Sequence, residues 1–307
     1  MSSHFGPARL IVNPRAGNGV VGKTLPRLQA ALDGRGFDYD VVQTRAPGDA
    51  TRFAREALDA GLRYLVAVGG DGTVLEVVNG MVEGDQAVAE DAVLGVAGAG
   101  SGCDFIRTFG LDRDPETTAR HLTSDHVMPI DLGVATYVDP DGAPGRRLFA
   151  NVAEVGYGAE VVRRAARLPR RLGRVRYLLA IYATLATMDR QVATVTTTQG
   201  DLTVPVVELV VANGQFFGGG MKVAPRALPD DGRYNVQIFT GQRSQVFLMT
   251  QGIYRGEHLP HPDIREFQSA TVSLAPDRPM LVEADGEVLG TTPASFSLLE
   301  RVVRLKI

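Results

Sequence analysis

The sequence has little cysteine, no strong excess of one charge and no long apolar run, and each shortage excludes a class of protein. A single cysteine in 307 residues, Cys103, rules out an internal disulfide and a multi-cysteine zinc site, which fits a reducing cytoplasm. The formal net charge of -3 argues against general nucleic-acid binding, so any basic surface must be local. We therefore expect a cytoplasmic protein without a nucleic-acid partner.

The length and the hydrophobic content of the chain limit the architectures that it can adopt. A chain of 307 residues with 44% hydrophobic residues can bury a large core, and its length fits two domains better than one. The start, MSSHFGPARLIVNP, has no basic region followed by a long apolar stretch, so no signal peptide is expected. The longest nearly apolar run, residues 177–188, is too short to span a bilayer.

The first third alternates short apolar runs with amphipathic stretches, from RLIVN through YLVAVG to AVLGVAG. That alternation predicts a βαβα domain with a mainly parallel sheet. The runs at 65–68 and 93–96 are apolar throughout, as a sheet covered on both faces requires. Such a sheet usually keeps its ligand at the carboxyl ends of its strands.

From about residue 128 the pattern becomes rich in strands, with helical stretches near 158–188 and 243–255. Gly200 and Asp201 stand between two alternating runs and predict a hairpin turn, which favours antiparallel pairing. We expect an α/β domain over residues 1–127 and a β-rich, antiparallel, sandwich-like domain over 128–291. The tail at about 292–307 is expected to pack back onto the first domain.

Three glycine-rich turns follow strands of the first domain. In the first, Gly17, Gly19 and Gly22 spell GxGxxG, and an aspartate, Asp40, follows eighteen residues later. This spacing matches the dinucleotide fingerprint. Glycines let the backbone approach a phosphate, and a helix N-terminus presents unpaired N–H groups to it. Because Pro14 precedes the first glycine and two more glycine turns follow, a nucleotide phosphate is favoured, and a dehydrogenase stays an alternative.

The second turn is GGDGT, at residues 69–73, between a buried strand and a predicted helix. Its N–H groups form a concave anion site, and Thr73 can cap the helix or donate to a phosphate. Asp71 would repel a phosphate unless a cation lies between them or a ribose hydroxyl binds it, which indicates a Mg²⁺-nucleotide; the alternative is a helix N-cap. Glu76 and Asn79 share a helix face, for either a supporting role or simple solvation.

The third turn is GAGSGCDFIR, after the strand that ends near residue 97. Ser101 is a candidate donor to a nucleotide. Asp104 either binds a substrate hydroxyl or caps the helix that follows it. Cys103 is expected to be a packing residue.

Six motifs, in order, resemble the diacylglycerol kinase catalytic family, which also contains the sphingosine and ceramide kinases and bacterial lipid kinases. NPRAG, GGDGTVLEVVNG and GSGCDFIRTFGL resemble its N-terminal signatures. FANVAEVGYGAEV, ANGQFFGGGMKVAPRALPDDG and EADGE follow in the second half, so the match covers almost the whole chain. Bacterial members often have TTND or TGND where this chain has SGCD, which leaves the role of that asparagine unfilled.

The resemblance implies a lipid kinase of phospholipid biosynthesis that transfers the γ-phosphate of Mg-ATP to a lipid hydroxyl, with a diacylglycerol-like acceptor. It implies a fold like that of NAD kinase and phosphofructokinase for the nucleotide-binding first domain, and a lipid-substrate role for the second. It fixes neither the lipid nor the oligomeric state, for which a homodimer is one expectation. The residues that would line the ATP site are Asn13, Pro14, Arg15, Ala16, Gly17, Thr44, Gly70, Asp71, Gly72, Thr73, Val74, Leu75, Glu76 and Ser101.

The acidic motifs of the second half receive roles by the same resemblance. Asp231, with the backbone carbonyls of Leu228 and Arg233, resembles a structural Mg²⁺ site. In the DGE motif, Glu287 resembles the general base, and Asp285 would support it from the same face if the segment is extended. Taken singly, PDDG and ADGE would be acidic β-turns. We also count Asp71 among the catalytic residues and expect Asp104 to be a substrate residue.

Seven arginines lie between residues 163 and 176 with no acid among them, followed by a short apolar run. They predict a dock for an anionic membrane; the alternative is a solvated basic face followed by a buried helix. The resemblance favours the membrane, and so peripheral association with its inner face. The arginines assigned to it are Arg163, Arg164, Arg167, Arg170, Arg171 and Arg174.

Two further readings of the motifs stay open. An NAD kinase also carries a GGDGT turn, but the FGGG, DDG and DGE motifs favour a lipid kinase. A non-catalytic nucleotide- or lipid-binding module is disfavoured by the intact acids Asp71, Asp231 and Glu287. His258 and His261 are expected at the surface, because too few ligands lie near them for a metal site.

Overall fold

The computed structural model describes residues 5–99, 102–172, 175–187 and 190–307. Two predicted site residues, Ser101 and Arg174, lie outside the described residues. The chain forms two compact units, one made of residues 1–132 with 299–307 and the other of residues 133–298.

The first unit is an α/β fold in which strands and helices alternate, as the sequence pattern predicts. Its small hairpin of two short strands is an addition that the pattern does not indicate. The elements are β1 (Ala8–Val12), α1 (Ala16–Asp33), β2 (Tyr39–Gln43), α2 (Asp49–Asp59), β3 (Tyr64–Gly69), α3 (Asp71–Met81), β4 (Val82–Glu83), β5 (Gln86–Ala87), β6 (Val93–Gly98), α4 (Asp104–Thr108) and α5 (Pro115–Leu122).

The main sheet of this unit is parallel, with the strand order β2, β1, β3, β6. Every residue of β3 and β6 is buried. Helix α1 packs with α5, and α2 packs with α3. A sheet covered by helices requires continuous apolar runs, and this is why β3 and β6 carry no polar face.

The second unit is an antiparallel, β-rich fold whose described residues include three α-helices, which confirms the expected fold class. One strand enters it from the first unit and another leaves it to rejoin the first unit. The elements are β7 (Val127–Val138), β8 (Pro144–Phe149), β9 (Val152–Gly156), α6 (Tyr157–Arg167), a 3-10 turn (Arg170–Leu172), α7 (Val175–Thr187), β10 (Gln191–Thr197), β11 (Gly200–Val206), β12 (Glu208–Ala212), β13 (Tyr234–Phe239), α8 (Arg243–Arg255), β14 (Ile264–Ser269), β15 (Thr271–Pro276), β16 (Leu281–Ala284) and β17 (Glu287–Lys306).

The strands of this unit pair antiparallel in the order β14, β13, β12, β9, β16, β17. Strand β10 pairs with β11 and β15. The predicted hairpin is therefore present, but its turn lies at Thr198 and Gln199, because Gly200 already pairs with Thr197. The glycine with φ near 121° begins the second strand of the hairpin and does not occupy the turn itself.

Aromatic rings fill the core of the second unit. The rings of Phe149 and Tyr234 stack with centroids 5.8 Å apart, and Phe296 meets Phe149 edge-on at 6.3 Å. A side chain at Gly133 would collide with the Phe149 ring, so this strand position needs a glycine. On another part of the unit, α6 and α7 pack through a smaller apolar cluster that includes Val161.

The last strand ends in the sheet of the first unit. Arg304 and Leu305 of β17 pair in parallel with β6. Just before them, Arg301 adopts a left-handed φ of 52°, and its N–H donates to the carboxylate of Asp131, which is fully buried. Lys306 is also buried, which lowers its pKa to about 8, and its ammonium donates to a main-chain carbonyl. Buried polar contacts thus fix the end of this strand.

Gly80 allows α2 and α3 to pack closely. A Cβ at this position would overlap the carbonyl oxygen of Thr51 and the side chain of Ala54, both on α2. We expect Gly80→Ala to lower the free energy of unfolding by about 1–3 kcal/mol, because rigid backbone would have to move. Urea unfolding measures this change.

Gly22→Ala is the matched control, since it lies in helix α1 with no atom within 4 Å of an added Cβ. Alanine should be neutral there or stabilise the helix by up to about 1 kcal/mol. Equal unfolding curves for Gly80→Ala and the wild type would show that α2 and α3 do not need this close approach.

Candidate functional site

The described members of the predicted nucleotide-binding set lie on loops at one edge of the parallel sheet and at the starts of the helices that follow these loops. The loop after β1 carries Asn13, the loop after β2 carries Thr44, and the loop after β3 carries Gly70. The carboxyl end of β6 lies at the same edge, because it pairs in parallel with β3. Side chains and backbone from four separate segments therefore meet where ligands of such sheets usually bind.

Asn13 connects the first two turns. Its side-chain N–H donates to the hydroxyl of Thr73 at 3.2 Å, and its side-chain oxygen accepts from the N–H of Arg15 at 3.1 Å. Thr73 is buried and packs over Gly69, where a Cβ would collide with it. The asparagine thus fixes the first turn against the second.

The first glycine turn does not open a regular helix. Gly17, Asn18 and Gly19 have φ of 60°, 56° and 84°, so three consecutive residues are left-handed at the start of α1. In the dinucleotide fingerprint the glycine turn opens directly into a helix. This conformation argues against the dehydrogenase alternative, while glycine remains the residue that tolerates it best.

A cleft of about 760 Å³ opens beside these loops. Its volume lies within the usual range for small-molecule sites, roughly 300–1,000 Å³. Two arginines on its wall give it positive charge suited to phosphate groups. The lining residues are Pro14, Arg15, Leu25, Gln29, Val41, Gln43, Thr44 and Arg45, and three of them belong to the predicted nucleotide set.

Asp71 binds the main chain of the third turn. Its carboxylate accepts the N–H groups of Asp104 and Phe105 at 3.1 and 2.9 Å, at the start of α4. Gly102 lies close by, because a Cβ there would be 3.1 Å from the carboxylate. The N-cap residue of its own helix, α3, is Gly70. Asp71 therefore does not cap α3, as the alternative expected, but binds the start of α4. A cation or ribose partner for Asp71 stays a prediction.

Glu76 joins α3 to the start of α2. Its carboxylate accepts the N–H of Ala50 at 3.1 Å, and its carbonyl oxygen accepts from the Thr51 hydroxyl at 2.9 Å. Val74 and Leu75 are buried, so only their main chain could reach a ligand. Gly70 and Gly72, in contrast, have open space beside them, since no atom lies within 4 Å of a Cβ added at either residue.

The third turn leads into two buried residues. Asp104 is buried and forms an ion pair of 3.6 Å with Arg107, three residues later. Burial, with a contribution from Asp71, raises the pKa of the Cys103 thiol to about 11, so the thiol stays protonated. Cys103 is therefore a packing residue, as expected, and no nucleophile.

In the second unit, Asp285 occupies a turn between β16 and β17. Its φ is 48°, and Ala284 pairs with Glu287 across the turn. The expectation of an extended segment that places Asp285 and Glu287 on one face is therefore wrong, because the chain reverses between them. The Asp285 carboxylate accepts three N–H groups, from residues 150–152, at 2.7, 3.0 and 3.1 Å.

Glu287 has a different environment. Its side chain is 59% exposed and forms an ion pair of 2.5 Å with Arg147 of β8. We call residues 285–287 the acidic turn. Within it, one carboxylate is bound by main-chain amides and the other reaches solvent.

The predicted Mg²⁺ site lies on an exposed loop. The Asp231 carboxylate accepts the N–H of Arg233 at 2.9 Å, which folds the chain back beside it, and the Leu228 side chain is half exposed. Mg²⁺ takes oxygen ligands, and a carboxylate with main-chain carbonyls can supply some of them. The donor chemistry thus fits the predicted site, which stays a prediction.

The arginine segment is less uniformly basic than its sequence indicates. Glu160, one turn earlier on α6, binds both Arg163 and Arg164 at 2.6 Å. Arg164 also donates to the Ala183 carbonyl and the Thr187 hydroxyl of α7, at 3.0 and 2.7 Å. Arg164 therefore joins α6 to α7, while Arg163 is bound within α6.

The remaining arginines and the helix that follows present a different surface. Arg167 and Arg171 are exposed, and the Arg170 side chain is outside what the structure describes. On α7 the outward residues at spacings of three, four and seven are apolar. They are Val175, Leu178, Leu179 and Tyr182, each exposed by 47–52%. Within the described ranges, no helix has the length and apolarity to span a bilayer.

Two features of the second unit escape the sequence analysis. His258 is buried, contrary to expectation, with Nε2 3.1 Å from the Val223 carbonyl oxygen, and burial lowers its pKa. Three glutamates are also buried, on strands whose apolar neighbours hide them. They are Glu154, Glu208 and Glu283, and the only signal in the sequence is an acid inside an otherwise apolar run, as in NVAEVG and PVVELVVA.

Two family models match the chain. Residues 7–135 match the model described as a diacylglycerol kinase catalytic domain. Residues 151–307 match the model described as a YegS C-terminal NAD kinase beta sandwich-like domain. Together the two matches account for most of both units.

Individual proteins agree with these models. A protein named diacylglycerol kinase from Staphylococcus haemolyticus (strain JCSC1435) is 28% identical, over 97% of this chain and 87% of that protein. A protein named probable lipid kinase YegS-like from Xanthomonas campestris pv. campestris (strain 8004) is 31% identical, over 78% and 75%. A crystal structure of a Bacillus anthracis str. Sterne protein matches with a TM-score of 0.77 and 25% identity, covering 99% of this chain and 98% of that one.

The contact between Asp71 and α4 leads to a prediction. We expect Asp71→Ala to remove the acceptor for the N–H groups of Asp104 and Phe105, and to lower the free energy of unfolding by about 0.5–2 kcal/mol, as the loss of a helix cap does. Hydrogen exchange should then become faster at these two amides. Asp59→Ala, an exposed acid at the end of α2, is the control. Unchanged protection of both amides in Asp71→Ala would contradict the capping role.

Proposed function

The chain belongs to the diacylglycerol kinase catalytic family and is a lipid kinase, and from this premise we propose that it transfers the γ-phosphoryl group of Mg-ATP to the hydroxyl of a diacylglycerol-like lipid. The observation that carries the proposal is the convergence of four loops at one sheet edge of the first unit. Asn13 and Asp71 fix three of these segments to one another, and the cleft of about 760 Å³ opens beside them.

The residues at this edge fit a nucleotide. Open space beside Gly70 and Gly72 lets phosphate oxygens approach the main chain, and Arg15 and Arg45 add positive charge. Mg²⁺, when bound with ATP, would neutralise charge on the phosphates. Holding the loops in place before the nucleotide arrives reduces the ordering cost of binding.

Glu287 is the proposed general base. Phosphoryl transfer needs little covalent chemistry from a protein, so the main task is to align the acceptor hydroxyl and accept its proton. An exposed carboxylate can reach a hydroxyl that arrives from outside, and Arg147 would orient it. Asp285, bound to three amides, would hold the turn that carries this base. At the exposed loop, Asp231 with the Leu228 and Arg233 carbonyls would hold a structural Mg²⁺.

We expect Glu287→Gln to lower kcat by about 10²-fold or more, as loss of a general base usually does, without unfolding the protein. The assay uses labelled Mg-ATP and a panel of diacylglycerol, a sphingoid base, phosphatidylglycerol and NAD, and identifies the labelled product. Glu257→Gln, which changes an exposed acid of the same unit, is the matched control and should keep wild-type kcat.

The outcomes of this assay separate the alternatives. Labelled phosphatidic acid from diacylglycerol would support the proposal. Labelling of NAD alone would replace it with an NAD kinase activity. Wild-type kcat in Glu287→Gln would remove Glu287 from the mechanism even if the lipid is phosphorylated.

The lipid substrate requires access to a membrane, and we propose that α7 provides it. Its outward apolar stripe, Val175, Leu178, Leu179 and Tyr182, would enter the interface of an anionic inner leaflet. Arg167 and Arg171 would face the headgroups, each contributing about 1 kcal/mol near a charged surface. Arg163 and Arg164 are assigned a smaller share, because Glu160 already binds them.

We expect the double variant Leu178→Ser, Leu179→Ser to weaken binding to anionic vesicles about tenfold or more, since two apolar side chains no longer enter the interface. Co-sedimentation with vesicles of phosphatidylglycerol and phosphatidylcholine measures this. Val192→Ser is the control, because Val192 is 48% exposed on a strand of the same unit. Docking by α7 would be refuted if vesicle binding changed neither in the double variant nor with the anionic lipid fraction or the salt concentration.

A further inference from the structure

Three buried glutamates lie on neighbouring strands of the second unit. Glu283 of β16 is directly opposite Glu154 of β9. Glu208 of β12 is opposite Gly156, two residues from Glu154 along β9. Because side chains alternate along a strand, all three project from the same face of the sheet. We call them the glutamate cluster.

The cluster is buried without a cation. Glu154, Glu208 and Glu283 are 7%, 8% and 0% exposed. Among the ion pairs of the described residues, none involves them. One oxygen of Glu208 and one of Glu283 also have no hydrogen-bond partner.

The groups that face the cluster do not neutralise it. From the start of α6 it meets the Tyr157 ring, whose pKa is raised by burial and by the nearby Glu208 and Glu154. From the acidic turn it meets Asp285, a further acid. Glu160, later on α6, is occupied by Arg163 and Arg164. Within the described part of the chain, the titratable groups close to the cluster are therefore acids and a phenol.

Such a cluster must bind protons or a metal ion, because an isolated buried carboxylate is very costly. In the part of the chain that the structure describes, no three acids or histidines are arranged to hold a metal ion. Protons are thus the favoured occupants. In agreement, burial raises the pKa of Glu154 to about 7, and burial with the charge of Glu154 raises the pKa values of Glu208 and Glu283 well above their ordinary range.

Two carboxyl groups of the cluster also accept hydrogen bonds from main-chain N–H groups. Glu208 accepts the N–H of Gly158, in the first turn of α6, at 2.6 Å. Glu283 accepts the N–H of Gly286, in the middle of the acidic turn, at 2.9 Å. A Cβ at Gly158 would collide with a Glu154 carboxylate oxygen and lie 3.1 Å from a Glu208 oxygen, so two carboxyl groups converge beside this glycine.

We propose that Glu283 is a positioning residue for the acidic turn, and that it acts as a neutral carboxylic acid within a proton-sharing cluster with Glu154 and Glu208. The proposal rests on the proposed function, because the turn carries the general base Glu287. A neutral Glu283 fixes Gly286 through its carbonyl oxygen without placing a buried charge next to the Asp285 carboxyl group. Ionisation would add that charge and loosen the turn.

The sign of the pH dependence follows from burial. The pKa of Glu154 is raised from 4.5 to about 7, so the stability that the neutral acid provides is complete below pH 4.5 and is lost as pH rises through about 7. Glu208 and Glu283 are shifted in the same direction and extend the loss to higher pH. The second unit should therefore become less stable, and kcat should fall, on the alkaline side.

The experiment compares Glu283→Gln and Glu283→Ala with the wild type, and uses Glu257→Gln as the exposed control. Glutamine keeps a carbonyl acceptor for the Gly286 N–H and cannot ionise. We expect it to retain kcat within about threefold at neutral pH and to move the alkaline fall of kcat to higher pH. Alanine should lower kcat by up to about 10²-fold, as misplacement of a reacting group does, with little change in KM for ATP.

An infrared measurement tests the cluster without relying on activity. The wild type at neutral pH should show the C=O stretch of protonated carboxylic acids, and Glu283→Gln should lose part of this signal while Glu257→Gln keeps it. Urea unfolding as a function of pH should give a flatter slope for Glu283→Gln. These readouts remain valid if the wild type phosphorylates no lipid, which would instead refute the proposed function.

Three results would overturn the proposal. The first is the absence of a protonated carboxyl signal in the wild type. The second is a loss of kcat in Glu283→Gln as large as in Glu283→Ala, since this would require the ionised form. The third is wild-type kcat in Glu283→Ala. If the alanine variant does not fold, the glutamine variant still decides through kcat, the infrared signal and the pH slope.

Discussion

Both units depend on one constraint. Main-chain N–H groups at turns and helix starts need hydrogen-bond acceptors that no strand or helix supplies. Leaving such a donor buried and unpaired costs about 1–3 kcal/mol. In this chain carboxylates supply the acceptors, often for a segment far away in the sequence. The carboxylates that act in this way include Asp71, Glu76, Asp131, Glu208, Glu283 and Asp285.

This use of acids separates two kinds of carboxylate in the acidic turn. Asp285 has three main-chain donors and is part of the fold. Among the described residues, Glu287 pairs with Arg147, and its side chain is largely exposed. Asp71 belongs to the first kind, since two amides bind it. A carboxylate bound by the main chain and a carboxylate open to solvent therefore stand two residues apart.

Whether a feature could be predicted from the sequence depended on how far apart in the chain the residues that determine it lie. The βαβα pattern, the antiparallel second unit and the family follow from local runs and motifs, and all are confirmed. The stripe on α7 could also have been found, because Leu178 and Tyr182 follow helical spacing. The facing of Glu154 and Glu283 could not, since it depends on the register of two strands distant in sequence. Likewise, the residues themselves do not indicate which amides Asp71 binds.

The path of β17 has a consequence for synthesis of the protein. Residues 304 and 305 pair with β6, but the ribosome makes them only after all of residues 133–298. Until then the sheet of the first unit has an open edge at β6, whose residues are all buried in the finished protein. An open apolar edge can pair with another chain. The order of synthesis therefore leaves residues 93 and 94 of this edge without the β17 partner until the second unit has been made.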